Sequence, residues 1–312
     1  MEGLKQPKGE NQPEYVRNEA LAKQFEESEK YTYGSTTIEA FDVQPEKLKT
    51  EVPVFFGTGW SASRGVYEAS MLGIADRGRR LLSVFAPHGI DTDSDFGKGD
   101  KTYAAAELRK AAAMLHTLEE KGVEQLDIVA HSESALWTLI VATMHPEKIR
   151  NIVLIDPAGL IDDETTPRLA TSFCLDIVQG ALNKEKLPRP EIERSVQPGS
   201  PADLFGALKN MAGDPMRSLK EVLAMRDADI RFILEDLKAQ GKHISIIQGA
   251  RDAIFPMERM QRVVNTSQVD GFYSVYGAHN EINSNPEAYI HVIDVALDAL
   301  EKLSEKDKDS VK

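Results

Sequence analysis

The chain has 312 residues, enough for one large α/β domain with an insertion or for two smaller domains, each with a full core. Its 37 Lys and Arg against 50 Asp and Glu give a net charge of −13, an excess that repels nucleic-acid phosphates and anionic membrane surfaces, so neither is an expected partner. Cys174 is the one cysteine, which excludes an intrachain disulfide and a thiolate metal cluster.

Residues 1–30 read as a polar, proline-bearing tail followed by a possible helix, with Val16, Ala20, Leu21 and Phe25 at helical spacing over 14–29. The opening MEGLKQPKGENQPE lacks the basic-then-apolar order of a leader. The apolar run LWTLIVA at 136–142 is far shorter than the roughly 20 residues of a membrane-spanning helix. The expectation is a cytoplasmic protein, monomeric or homodimeric, with no membrane partner.

Over 31–43, Tyr31, Tyr33, Thr36, Ile38 and Val43 flank a Gly34-Ser35 turn and predict antiparallel edge strands. From 52 onward short apolar runs alternate with helical ones: VPVFF, a helix near 62–77, LLSVFA, a helix near 101–121, QLDIVA, a helix near 133–145, and IRNIVLID. The alternation stops at about 158 and resumes with ISIIQG, a helix near 256–264, GFYSVYG and a last helix near 287–303. This pattern predicts an α/β protein, a mostly parallel central sheet of about eight strands with helices on both faces. The core is assigned to 31–158 and 242–303, a helical cap to the proline-broken insertion 159–241, and a charged C-terminal tail to 304–312.

The strand QLDIVA runs straight into Ala130-His131-Ser132-Glu133-Ser134, and a helical run follows at once. A serine held at such a sharp strand-to-helix turn needs small residues two before and two after it, and Ala130 and Ser134 supply them. This arrangement resembles the nucleophile turn of the α/β-hydrolase superfamily, although both glycines of the usual G-x-S-x-G are absent.

The family's order is nucleophile, acid, histidine, each after its own strand. After ISIIQG, the stretch Gly249 to Pro256 resembles the family's acid turn and places Asp252 at the acid position; after GFYSVYG, His279 fits the base position. Thr58-Gly59-Trp60 stands where the family reads H-G-x, and the glycine is expected to let the backbone turn its N–H groups toward substrate.

The resemblance implies catalytic Ser132, Asp252 and His279, an oxyanion hole from the backbone N–H of Trp60 and Glu133, and substrate binding at Thr58 and Gly59. It implies a serine hydrolase of the carboxylesterase type, acting on a small-molecule ester-like substrate through an acyl-enzyme, with no cofactor and no metal. The same triad would also serve acyl transfer, or C–C or cyanohydrin cleavage, and a non-catalytic ligand-binding member would keep the pocket.

Asp156, at the end of IRNIVLID, is the alternative acid. His131 reads as a structural histidine, as do His88, His116, His145, His243 and His291. No two histidines have the H-x-x-x-H spacing of a zinc helix, and Asp91, Asp93 and Asp95 open a calcium-loop pattern that fails at Phe96 and Thr102. Gly57-x-Gly59-x-x-Ala62 keeps a dinucleotide-dependent enzyme as a remote alternative. Glu133 opposes negative charge beside the nucleophile unless a cation meets it, and Arg64 or a cap residue is the expected partner.

Overall fold

The computed structural model describes residues 18–86, 88–90, 104–160, 165, 167–169, 171–172, 209–265, 269–284 and 286–310. The acidic triplet 91–95, Cys174 and most of the insertion lie outside them.

Helix α1 (Glu19–Glu26) is started by Asn18, whose side chain accepts from the Leu21 amide, and buries Leu21, Ala22 and Phe25. Phe25 stacks on Phe41 at 4.5 Å between ring centroids, so this helix covers the protein's own sheet. Strands β1 (Glu29–Tyr33) and β2 (Thr36–Val43) pair antiparallel around Gly34, whose φ of 58° suits the two-residue turn.

The alternating segment then lays down β3 (Thr50–Gly57), α2 (Glu68–Asp76), β4 (Arg79–Phe85), α3 (Ala105–Glu120), β5 (Leu126–His131), α4 (Ser134–Met144) and β6 (Ile149–Ile155). In the insertion, α5 (Pro215–Asp227) and α6 (Arg231–Ala239) are helical. The chain returns through β7 (His243–Gly249), α7 (Met257–Val264), β8 (Gly271–Val275), the short α8 (Glu281–Ser284) and α9 (Pro286–Ser310). Helix α9 runs well past 303, so residues 304–310 are helical where composition alone reads a tail; carrying no apolar period of their own, they prolong a helix whose earlier turns are anchored on the sheet.

The eight strands form one sheet in the order β1-β2-β4-β3-β5-β6-β7-β8. β2 joins β4 antiparallel, and every pairing from β4 onward is parallel. Buried strands alternate between two cores: Phe55, Ile128, Ile152 and Ile246 face α3 and α4, while Val54, Phe56, Val129, Val153 and Ile247 face α1, α2 and α9. Burial on both faces explains the near-continuous apolar strands, and each fully buried aliphatic contributes about 1.5–3 kcal/mol.

From β3 the chain steps to β4 on one side and then to β5 on the other. This reversal opens a crevice at the carboxyl ends of β3 and β5, where open α/β sheets bind ligands. The residues leaving those ends are Thr58-Gly59-Trp60 and Ser132.

Candidate active site

Ser132 follows β5 with φ 58°, a left-handed conformation that costs a non-glycine residue about 1–3 kcal/mol. Its surroundings enforce the turn. The Ser132 amide donates to the Ile155 carbonyl, and its own carbonyl accepts from the Ala135 and Ala158 amides. The need for small residues is visible opposite: a Cβ on Gly57 would lie 2.7 Å from the Ser134 Cβ.

His279 Nε2 lies 2.8 Å from Ser132 Oγ, and His279 Nδ1 lies 2.8 Å from Asp252 Oδ2. Asp252 Oδ1 accepts from the amides of Ile254 and Phe255, and Gln248 Nε2 donates to Oδ2, so the carboxylate is fixed in its own turn. An acceptor on Nδ1 places the ring proton there and leaves Nε2 as the acceptor for the serine proton. All three side chains are buried. Asp156, the alternative acid, instead accepts the Gly249 amide at 2.6 Å and holds the β6 and β7 ends together.

His131 is tied on both nitrogens. Its Nε2 lies 3.0 Å from the His279 carbonyl, which can only accept, so Nε2 carries the proton. Nδ1, 2.6 Å from the Tyr67 hydroxyl, therefore accepts from it, and that hydroxyl in turn accepts from the Gly59 amide at 3.2 Å. Burial, with His279 beside it, holds His131 well below the usual imidazole range and keeps it neutral. The chain fixes the histidine loop to the loop after β3.

It also changes the reason for Gly59. Its N–H is spent on Tyr67 rather than turned to substrate, and a Cβ there would meet the Tyr67 hydroxyl at 2.7 Å and His131 at 3.1 Å.

Thr58, Gly59 and Glu133 line one cavity of about 20 Å³, room for a single water. Glu133 is the N-cap of α4, so its amide lies with the helix's first N–H groups, which lack intrahelical partners and sit at the positive end of the dipole. The Glu133 carboxylate meets Lys110 Nζ at 2.6 Å, not Arg64, which bonds Glu39 and the Phe25 carbonyl. Arg64 lies on the α1 side of the sheet and Glu133 does not. Burial pushes Glu133 up to about 7.

Among the described residues, His131, Asp156 and His279 have ligand atoms within 4.8 Å of one another. The imidazole nitrogens are already committed to Tyr67, Ser132, Asp252 and a carbonyl, so the trio does not suit a cation. The dinucleotide pattern at 57–62 is likewise overruled: the parallel strands take the order β4-β3-β5-β6 rather than the classic dinucleotide-binding one, and the Gly57 and Gly59 faces are filled by Ser134 and Tyr67. No described helix is long and apolar enough to cross a membrane.

The fold is that of the α/β-hydrolases. Bromoperoxidase from Bacillus anthracis superposes with a TM-score of 0.60 at 17% identity, covering 87% of this chain and 99% of that one. The enol-lactonase from Burkholderia xenovorans LB400 gives a TM-score of 0.59 at 13% identity, covering 86% and 99%. In sequence, the chain is 22% identical over 268 residues to a protein of Mycobacterium phage D29 whose name places it with the non-heme haloperoxidases, covering 83% of this chain and 92% of that protein. No protein-family model matches the chain.

Proposed function

We propose that the protein is a serine hydrolase that cleaves a carboxylic ester through an acyl-enzyme. The observation that carries this reading is the continuous row Ser132 Oγ, His279, Asp252, built on a strained serine at the switch point of the sheet. His279 takes the serine proton as Oγ attacks the carbonyl, Asp252 stabilises the imidazolium, and His279 returns the proton to the leaving alcohol. Water then repeats the steps and frees Ser132. Amides of Trp60 and Glu133 receive the oxyanion, each worth about 10²–10³ in rate.

The insertion acts as a cap. Between α3, α4, α5 and α6 lies a cavity of about 520 Å³ in which Leu136, Ile140, Leu223, Ile230, Phe232 and Ile233 alternate with Glu107, Lys220, Asp227 and Asp229, a mixed wall suited to a small to medium ester with an apolar part and a polar end. Leu136 lies on the first turn of the helix that Ser132 introduces.

The test is turnover of 4-nitrophenyl esters of graded acyl length, with both products quantified, by wild type and Ser132→Ala. Release of acid and alcohol by wild type, reduced to background in the variant, is the expected result. Equal turnover by the two proteins would refute the reading, and labelling of Ser132 by a fluorophosphonate without ester turnover would favour a binding role.

A further inference from the structure

The two residues proposed above as oxyanion donors, Trp60 and Glu133, also have side chains tied to one buried cluster. Lys110 Nζ, on α3, donates to Glu133 Oε1 at 2.6 Å and stands 3.5 Å from Glu221 Oε1. Glu221, on α5 of the insertion, accepts the Trp60 indole N–H on Oε2 at 2.8 Å and meets His88 Nδ1 at 3.0 Å with Oε1. Asn210, just before α5, donates to the Ser61 and Ala62 carbonyls and offers its own carbonyl to His88.

Lys110, Glu133 and Glu221 are 5%, 1% and 1% exposed, so the cluster is an internal one. Against their burial, Glu133, Glu221 and Glu107 hold Lys110 above the usual ammonium range, while His88 and Lys110 hold Glu221 below the usual carboxylate range. A charged pair of this kind is weak evidence for stability alone, since apolar residues of like volume often serve as well. Its placement is what stands out: Lys110 neutralises the carboxylate next to the nucleophile, and Glu221 fixes the indole of the other donor.

We propose that Lys110 and Glu221 are positioning residues for the oxyanion site, so that seating helix α5 of the insertion sets the geometry of both donors, Trp60 and Glu133. The proposal rests on the acyl-enzyme reading above. Lys110 removes a negative charge that would oppose the tetrahedral oxyanion, and Glu221 carries the position of α5 to the loop after β3. Substrate binding in the ground state depends on neither function; the transition state depends on both.

The experiment compares wild type with Lys110→Met, Lys110→Arg, Glu221→Leu and Trp60→Phe in the full chain. It measures kcat and KM on 4-nitrophenyl acetate, inhibition by an aryl trifluoromethyl ketone that adds Ser132 to form a tetrahedral oxyanion, and thermal midpoint. Functional sites are counted by fluorophosphonate titration.

Per titrated site, Lys110→Met and Glu221→Leu should lower kcat about 10- to 100-fold with KM within about threefold, less than outright loss of a donor. Inhibition should weaken by the same factor, Lys110→Arg should recover to within about fivefold, and Trp60→Phe should shift in the same direction by about fivefold. Should Lys110→Met fail to fold, Lys110→Gln, whose amide can still donate to Glu133 without cancelling its charge, takes its place, with a kcat loss in the same direction expected.

Variants that keep wild-type kcat and inhibition per titrated site while melting lower would overturn the proposal and leave the acyl-enzyme reading intact. A wild type with neither a Ser132 adduct nor turnover would overturn that reading and this inference with it.

Discussion

The two ends of the parallel strands carry buried charges arranged on opposite principles. At the amino ends, Arg150 makes a fork onto Asp127 with contacts of 2.9 and 2.5 Å and reaches Glu301 at 2.8 Å, while Arg79 and Lys49 engage Asp294 and Asp298. Cations and carboxylates alternate there, and they fasten α9 across the strand starts. At the carboxyl ends three carboxylates, Glu107, Glu133 and Glu221, surround Lys110, and neither oxygen of Glu107 has a hydrogen-bond partner among the described residues. The framework pairs each cation with carboxylates, leaving Arg79 Nη1 3.8 Å from Glu301 as a loose contact, whereas a site that must respond to charge appearing in a reaction holds charges in tension.

The contrast predicts that variants at the two ends fail in different currencies. The largest effect belongs to the carboxyl end: Asp252→Asn should lower kcat on an acyl ester by about 10⁴ with the fold intact, because the amide turns the His279 tautomer the wrong way. Asp156→Asn, which touches the Gly249 amide rather than the ring, should lose far less. Steady-state kinetics on both decide it, and equal losses would return Asp156 to candidacy.

At the amino end, Arg150→Met strips the partner from a fully buried Asp127 and should cost about 3–5 kcal/mol of stability by urea unfolding, with kcat per folded molecule unchanged. A fall in kcat without a change in stability would erase the distinction between the two ends.

The smallest effect concerns pH. Burial, with Glu133 beside it, pushes Glu107 well above the usual carboxylate range in the folded protein. Its unfolded value is about 4.5, so the folded state holds the extra proton: that contribution is whole below about 4.5 and drains away as pH rises toward the folded value. Glu107→Gln should therefore flatten the decline of Tm as pH rises above about 4.5 and leave the more acid side unchanged. Identical slopes in wild type and variant would show that Glu107 does not hold its proton.

The parallel sheet and the hydrogen-bonded row were legible in sequence because each rests on local pattern. QLDIVA, ISIIQG and GFYSVYG are short apolar strands, and Ser132, Asp252 and His279 each lie within a few residues of a strand end. The charge cluster was not legible. Lys110 and Glu107 sit among Ala, Leu and Arg in α3, a composition that reads as one polar face of an amphipathic helix, yet the helix is covered by both α4 and α5. Their partners come from distant chain: 23 residues separate Lys110 from Glu133, and 161 separate Trp60 from Glu221. The Gly59-Tyr67-His131 relay escaped for the same reason, since Tyr67 in isolation is an ordinary aromatic in a predicted helix. Arg64 failed as the partner of Glu133 because spacing along the chain does not reveal which side of the sheet a residue reaches.

Ser132 as an activated nucleophile is tested most directly by peptide mapping with mass spectrometry after brief exposure to a fluorophosphonate. The row predicts one adduct, on the peptide containing Ser132, formed at near-zero rate in His279→Ala and absent in Ser132→Ala. No adduct on folded wild-type protein, or labelling of Ser132 at the same rate with His279 removed, would contradict it.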